Sequence, residues 1–407
     1  MSAGISWSRY PGRFMIILGT VMLLLFIVEH INGRFWLNDF RVYYGAGESL
    51  LNGEPLYGVA HGLGTGVYKY APVLAAFYAL FALLPYPIAA SLQYILIALA
   101  FLDGSRRIDR LVRDRLLNGR AASYWPLFLT GLVCVVHLHR ELHLGNINMM
   151  LLWSLIVALE YVLAERSTLG GIILGAAMLA KPHFVVLLPL LVLRGKFRVT
   201  TIAMGTIMLG AFLPSLFLGW EGNRAVHRDW LGAMAEHNSA LIYTGGDDYR
   251  SVNTLYSFLH RSVLKYSMGP SALEAYTVLG VVALLFGAFV LWNKRRNTDA
   301  SRSFAFEFLL LVALVPSITL TDTEHFLLAM PLVAYLMHQL VPRPAPRWLP
   351  WIAVPILFAY GGNWEDALGP FSARMIHFGL LGIGSFSSLV LCAILFVRSN
   401  HSTDKVS

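Results

Sequence analysis

Long apolar runs separated by short polar joints make up most of the chain. Runs of spanning or near-spanning length fall at 14–31, 87–102, 124–139, 147–164, 169–193, 199–219, 272–293, 303–320, 325–341, 348–360 and 372–397. In lipid only a helix or a closed barrel satisfies its own backbone, and a helix of about 20 apolar residues crosses the roughly 30 Å hydrocarbon core. A further run at 71–84 reaches only about 21 Å at 1.5 Å per residue, which predicts an interfacial or re-entrant helix ended by the Pro-Tyr-Pro at 85–87. The pattern predicts an all-α polytopic membrane protein with one integral membrane domain, 1–407, of about 11–12 membrane helices. The run from Phe14 is expected to stay as an anchor, since it is long and lacks a small-residue cleavage site.

Composition agrees with the pattern. The chain is 57% hydrophobic and 13% charged, with a mean hydropathy of +0.62, against about 25% charged residues in soluble domains. Cys134 and Cys392 both sit in apolar runs, so a disulfide framework is not expected. The net charge of +8 carries a topological meaning rather than a nucleic-acid one. Basic residues gather in the stretch 103–122, at 194–198, 293–297 and 342–347, and at both termini. Basic joints stay in the cytoplasm, so both termini are placed there, in a cytoplasmic (inner) membrane. The same alternation puts a first outer loop at 32–86, with interfacial helices, and a long outer loop at 220–271. Most acids fall on that outer face, among them Asp39, Glu141, Asp322 and Glu324.

With 169–193 bounded by Arg166 and by Arg-Gly-Lys-Phe-Arg on one side, Lys181-Pro182 at its centre marks either the tip of a helical hairpin or a kink in one helix. An intramembrane lysine is a functional-site candidate, here for an anionic ligand. Asp39 is either an N-terminal helix cap, together with Asn38, or a proton acceptor on the face it shares with Tyr43 and Gly47 at i, i+4, i+8. Lys69 and Tyr70 stand at the mouth of the short run, where a cation and a ring suit a phosphate and a sugar. Asn146 and Asn148 offer amide hydrogen bonds at a helix start. His325 follows Asp322 and Glu324, and Arg250 and Asn253 lie in the long outer loop. His137, His139 and His143 invite a metal, but the fourth ligand and the His-Glu-x-x-His pattern are missing, so no metal and no cofactor are expected. No phosphate loop or dinucleotide fingerprint is present either.

Taken in order, "DFRVYYGAGESLLNGEPLY", "YKYAPVLAAFYALFALLP", "LGNIN", "GGIILGAAMLAKPHFVVLLPLLVLRGKFR", "SVNTLYSFLHR" and "TEHFLLAMPLVAYL" resemble the blocks of glycosyltransferase family 87, of the GT-C membrane superfamily, over roughly residues 14–341. The resemblance implies a GT-C-type bundle and an inverting transfer, with mannose favoured, from a polyprenyl-phosphate sugar donor to a glycolipid or glycan acceptor at the outer face. It places the general base on Asp39, and phosphate contacts on Lys181 and His325; from their own chemistry Lys69 and Arg250 are expected beside them. Tyr43, Tyr70, Asn146, Asn148 and Asn253 are then expected to meet the sugar or acceptor. Departures from the family pattern are Tyr-Ala-Pro at 70–72 for Tyr-Pro-Pro and Asn146 for a glutamine. A lipid or sugar transporter is the alternative function, since intramembrane lysines and interrupted helices also serve transport paths.

Overall fold

Every apolar run becomes helix in the computed structural model, which describes residues 9–63, 66–119, 123–240, 253–255, 259, 272–296, 299–319, 322–341 and 345–403. In order the helices are α1 Arg9–Ile31, α2 Asn38–Asn52, α3 Pro72–Ala82, α4 Tyr86–Leu111, α5 Tyr124–Leu144 and α6 Asn148–Leu163. There follow α7 Ser167–Ala180, α8 Leu187–Leu193, α9 Phe197–Ala211, α10 Ser215–Ala240 and α11 Ala272–Arg296. The chain ends with α12 Ala300–Ile318, α13 Met330–Leu340, α14 Leu349–Gly361, α15 Glu365–Leu368, α16 Pro370–His377 and α17 Leu380–Thr403. Among the described residues the only β pairing is one bridge between Ala60 and Val67.

The architecture is the all-α polytopic membrane fold expected from the runs. Among the described residues six helical stretches are long and apolar enough to cross a membrane alone: Gly12–Ile31, Tyr86–Leu116, Tyr124–Leu144, Tyr276–Arg296, Ala300–Ile318 and Leu380–Ser399. Of the other runs, 147–164 and 348–360 are single shorter helices, Asn148–Leu163 and Leu349–Gly361, and the rest are interrupted. The 199–219 run bends by 93° between α9 and α10, so the expected long outer loop 220–271 opens as a helix set at about a right angle to α9. The 325–341 run starts as a 3-10 helix, Thr323–Ala329, before α13; the two together still rise about 30 Å. The 103–122 stretch, expected to be a basic loop, is helical as far as Leu116 and closes with a π turn, Val112–Leu116. Its charges have partners, Arg107 with Asp103 and Glu160, and Arg113 with Asp109, which lets a helix carry them.

Segment 167–196 is a hairpin. Lys181 leaves helical geometry at φ −134, ψ 100, Pro182 removes a donor from the next turn, and Pro182–Val186 coils into a 3-10 turn before α8. The ends return to one level, where Lys196 Nζ lies 3.1 Å from Glu165 Oε1. Consistent with a chain that goes up and comes back, α7 and α9 run parallel: Gly171 packs on Ile202, Gly175 on Ala203 and Leu179 on Gly210.

Contacts at the base of this hairpin draw the basic joints to one end of the bundle. Arg194 Nε donates to Glu307 Oε2 at 2.7 Å, Lys294 Nζ to the Leu193 carbonyl at 2.8 Å, and Arg302 to the Leu116 carbonyl at 3.1 Å and Ser399 Oγ at 2.8 Å. The hairpin tip, the start of α2 and the turn before Thr323 gather at the opposite end.

Candidate functional site

The site starts from a tight joint between α2 and the α5–α6 turn. Leu37, at φ 42 and ψ 60, turns the chain into α2 in the left-handed region. Asn38 does not cap the helix; its side-chain oxygen accepts from the Leu63 N–H at 2.8 Å. Asp39 is not a cap either, and Asn146 Nδ2 donates to its Oδ2 at 2.6 Å. Opposite, Gly145 ends α5 at φ 69, where a Cβ would stand 2.8 Å from Phe40 Cβ and 3.0 Å from Leu37 Cβ. A glycine is required there twice over, for the backbone conformation and for the approach of α2. Its carbonyl is held by Gln93 Nε2 of α4 at 3.1 Å. Further along α2, a side chain at Gly47 would meet the Tyr78 backbone at 2.7 Å, so the gap flagged in the sequence is the seat of α3. This close approach stacks Tyr43 on Tyr78, ring centres 5.0 to 5.1 Å from both Tyr70 and Tyr78.

Asp39 faces a cavity of about 630 Å³, also lined by Tyr43, Lys69, Tyr70, Asn146, Lys181 and His325. Seven of the ten residues singled out in the sequence thus share one space. Burial, with the negative charge of Glu324 and Asp322, pushes the Asp39 carboxyl up from 3.8 to about 7, against the opposing pull of the Asn146 hydrogen bond and the Lys181 charge. A carboxylate with a pKa near the ambient pH is suited to take a proton and release it again. Burial holds the Tyr43 and Tyr70 phenols well above their ordinary value, so both remain neutral hydroxyls.

Lys181, at the hairpin tip, is buried and donates to Asn148 Oδ1. Asn148 Nδ2 in turn donates to Glu141 Oε2 at 2.9 Å, and Glu141 Oε1 accepts the Met149 N–H at 2.7 Å. The ammonium therefore meets a neutral oxygen, with the carboxylate one side chain behind it, and it also sits 5.6 Å over the Tyr70 ring centre. Such a cation keeps charge to offer a ligand, because its partner does not neutralise it. On the far wall His325 Nδ1 lies 3.3 Å from Glu324 Oε1, and Glu324 Oε2 accepts from Arg140 Nε at 3.2 Å.

Two expectations place differently, and a third is not placed. Asn148 does not line the cavity; it links Lys181 to Glu141 from behind. Asn253 is buried in a separate hollow with His137, Arg140, Thr323 and Tyr360. Arg250 lies outside the described residues. Of the three histidines His137 goes its own way, reaching the Thr323 and Tyr360 carbonyls at 2.8 and 3.1 Å, while His139 and His143 stack with ring centres 6.1 Å apart and His143 sits 3.3 Å from Glu29 of α1. Among the described residues no three His, Cys, Asp or Glu side chains are grouped to hold a metal. Asp322 and Glu324 were counted in the sequence only as outer acids, yet both line the cavity. Two acids beside a histidine at a helix start were the only signal available.

A family model described as Glycosyltransferase family 87 matches residues 68–321. A curated Alpha-(1->3)-arabinofuranosyltransferase of Corynebacterium glutamicum is 28% identical over 201 residues, which are 48% of this chain and 45% of that protein. A crystal structure of the apo oligosaccharyltransferase of Archaeoglobus fulgidus aligns over 96% of this chain and 56% of its own, at 12% identity and a TM-score of 0.41.

Proposed function

This chain belongs to glycosyltransferase family 87, and from that premise we propose that it transfers a sugar from a polyprenyl-phosphate donor to a glycolipid or glycan acceptor, with inversion. The observation behind the proposal is that a carboxylate poised near neutrality and a buried, unneutralised ammonium line the same cavity. The donor's phosphate would rest against Lys181 with His325 and Lys69 beside it, its isoprenoid tail entering from the lipid. Cations fixed there stabilise the charge that develops on the departing phosphate. Asp39 takes the proton of the acceptor hydroxyl as that oxygen forms a bond to the anomeric carbon. The bond from that carbon to the phosphate oxygen breaks, and the electron pair leaves with polyprenyl phosphate. Attack from the side opposite the phosphate inverts the centre.

The end of the bundle with Arg107, Arg194, Lys294 and Arg302 faces the cytoplasm in this proposal, and the cavity opens on the other side of the inner membrane. Mannose is the first donor sugar to test, and arabinofuranose the second, because the C. glutamicum relative is an arabinofuranosyltransferase by name. The test is transfer by the purified protein in detergent from labelled polyprenyl-phosphate sugars to a panel of glycan acceptors. An enzyme gives a product without any sealed compartment. A transporter gives none, and absence of product with every donor would remove the proposal.

A further inference from the structure

Asn146 was expected to touch the sugar, but its amide is spoken for. The Ile147 N–H donates to Asn146 Oδ1 at 2.7 Å. A backbone N–H can only donate, so it fixes which end of the amide is the oxygen. The Tyr43 hydroxyl approaches the same oxygen at 3.2 Å and the Tyr70 hydroxyl at 2.9 Å. Tyr43 has one proton, which it gives either to the Tyr70 oxygen or to Asn146 Oδ1. Asn146 Oδ1 is held by the Ile147 N–H in either case, and its Nδ2 is left to Asp39. That bond falls on one oxygen, Oδ2, of a side chain that also faces the cavity.

We propose that Asn146 is the positioning residue of the Asp39 base: it pins Oδ2 and so leaves Oδ1 as the atom that receives the acceptor's proton. The inference rests on the transferase proposed above only for the proton it assigns; the pinning itself stands on the geometry. Around Asp39 the charged groups are Asp322, Glu324 and His325 from the turn before α13, Lys181 and His183 from the hairpin tip, and Lys69 from the segment before α3. None of them is altered by changing Asn146, so a shift in Asp39's titration reports the amide. The hydrogen bond favours the ionised form, and its loss raises the pH at which Asp39 ionises.

The experiment compares the full-length wild type with Asn146→Ala and Asn146→Gln. The first readout needs no substrate: a water-soluble carbodiimide labels protonated carboxyls, and mass spectrometry of the Asp39 peptide follows labelling against pH. The midpoint in Asn146→Ala is expected about one pH unit above wild type, with Asn146→Gln in between. The second readout is transfer, where the acid limb of kcat moves up by the same interval and kcat falls about tenfold to a hundredfold, while the donor KM stays within twofold. An unshifted midpoint in both variants overturns the proposal, as does a fall in donor affinity with an unchanged pH profile, which would mean a sugar contact instead. A shifted midpoint in a protein that transfers no sugar would sustain the pinning and end the transferase reading alone. Should Asn146→Ala fail to fold, Asn146→Gln carries the same two outcomes.

Discussion

Lys181 and Arg194 sit at opposite ends of one hairpin, both with buried side chains, and they are treated in opposite ways. Arg194 faces the carboxylate of Glu307 with two of its nitrogens, and Asn293 Nδ2 donates to the same carboxylate at 2.6 Å. Lys181 meets an amide oxygen and lines the cavity. At the base, charge is matched with charge and holds helices together. At the tip, Asp39 and Lys181 share a cavity without closing on one another, while Glu324 is held by Arg140 and His325. A buried cation with a full ion pair has nothing left to give, whereas one satisfied by an amide still attracts an anion.

The comparison is broken most sharply by removing the proposed base at the open end. Asp39→Asn is expected to lower transfer by about 10²–10⁴-fold while the protein still folds, as read by turnover and by melting in detergent. The same variant has a second signature. Asp39 ionises at about 7 in the fold against an ordinary 3.8, so the folded state holds the proton more tightly and stability declines as pH rises through that window. Asp39→Asn should therefore melt above the wild type at pH 8 and with it at pH 3.

At the paired end the expectation reverses. Arg194→Met leaves Glu307 buried without its cation and should cost about 3–5 kcal/mol of stability, whereas Lys181→Met should leave the melting temperature nearly unchanged and weaken donor use. Equal thermal losses in the two variants would erase the distinction between the ends. A smaller effect is expected from Gly145→Ala, whose methyl would push Leu37 and Phe40 away at a strained φ. It should cost about 1–3 kcal/mol and lower kcat as well, since Asn146 is carried off with the turn. The wild type's own response to pH completes the series: transfer should fall tenfold per unit below about 7 and level off above it. A rate independent of pH between 5 and 8 would show that Asp39 is not the group that titrates.

Much of this was legible in the chain before any contact was known. The apolar runs fell on helices, the 71–84 run proved a short helix, and Lys181-Pro182 lay at a turn. Asp39, Lys181 and His325 were picked from three separate segments and line one cavity. The errors cluster where a residue's partner is distant. Asp39 reads as a cap because a carboxylate at a helix start normally binds its own backbone; its actual partner, Asn146, is 107 residues away. Asn148 reads as a ligand contact because nothing near it in sequence shows that Lys181 and Glu141 will occupy both ends of its amide. The basic stretch 103–122 reads as a loop by the number of its arginines; Asp103 and Asp109 lie four residues before Arg107 and Arg113, a helical spacing, and only the third partner, Glu160, is on another helix.

What the amino-acid order determined by itself is the solvent of each segment: burying backbone in lipid demands helix, and the periodic supply of basic joints sorts helix ends into two groups. What only the tertiary structure decided is which way each polar side chain is spent, in a pair, in a relay or toward a cavity. That choice turns on angstrom-scale approaches such as Gly145 against Phe40 and Gly47 against Tyr78, and electrostatic energy in a dry interior changes too steeply with distance for sequence spacing to foretell it.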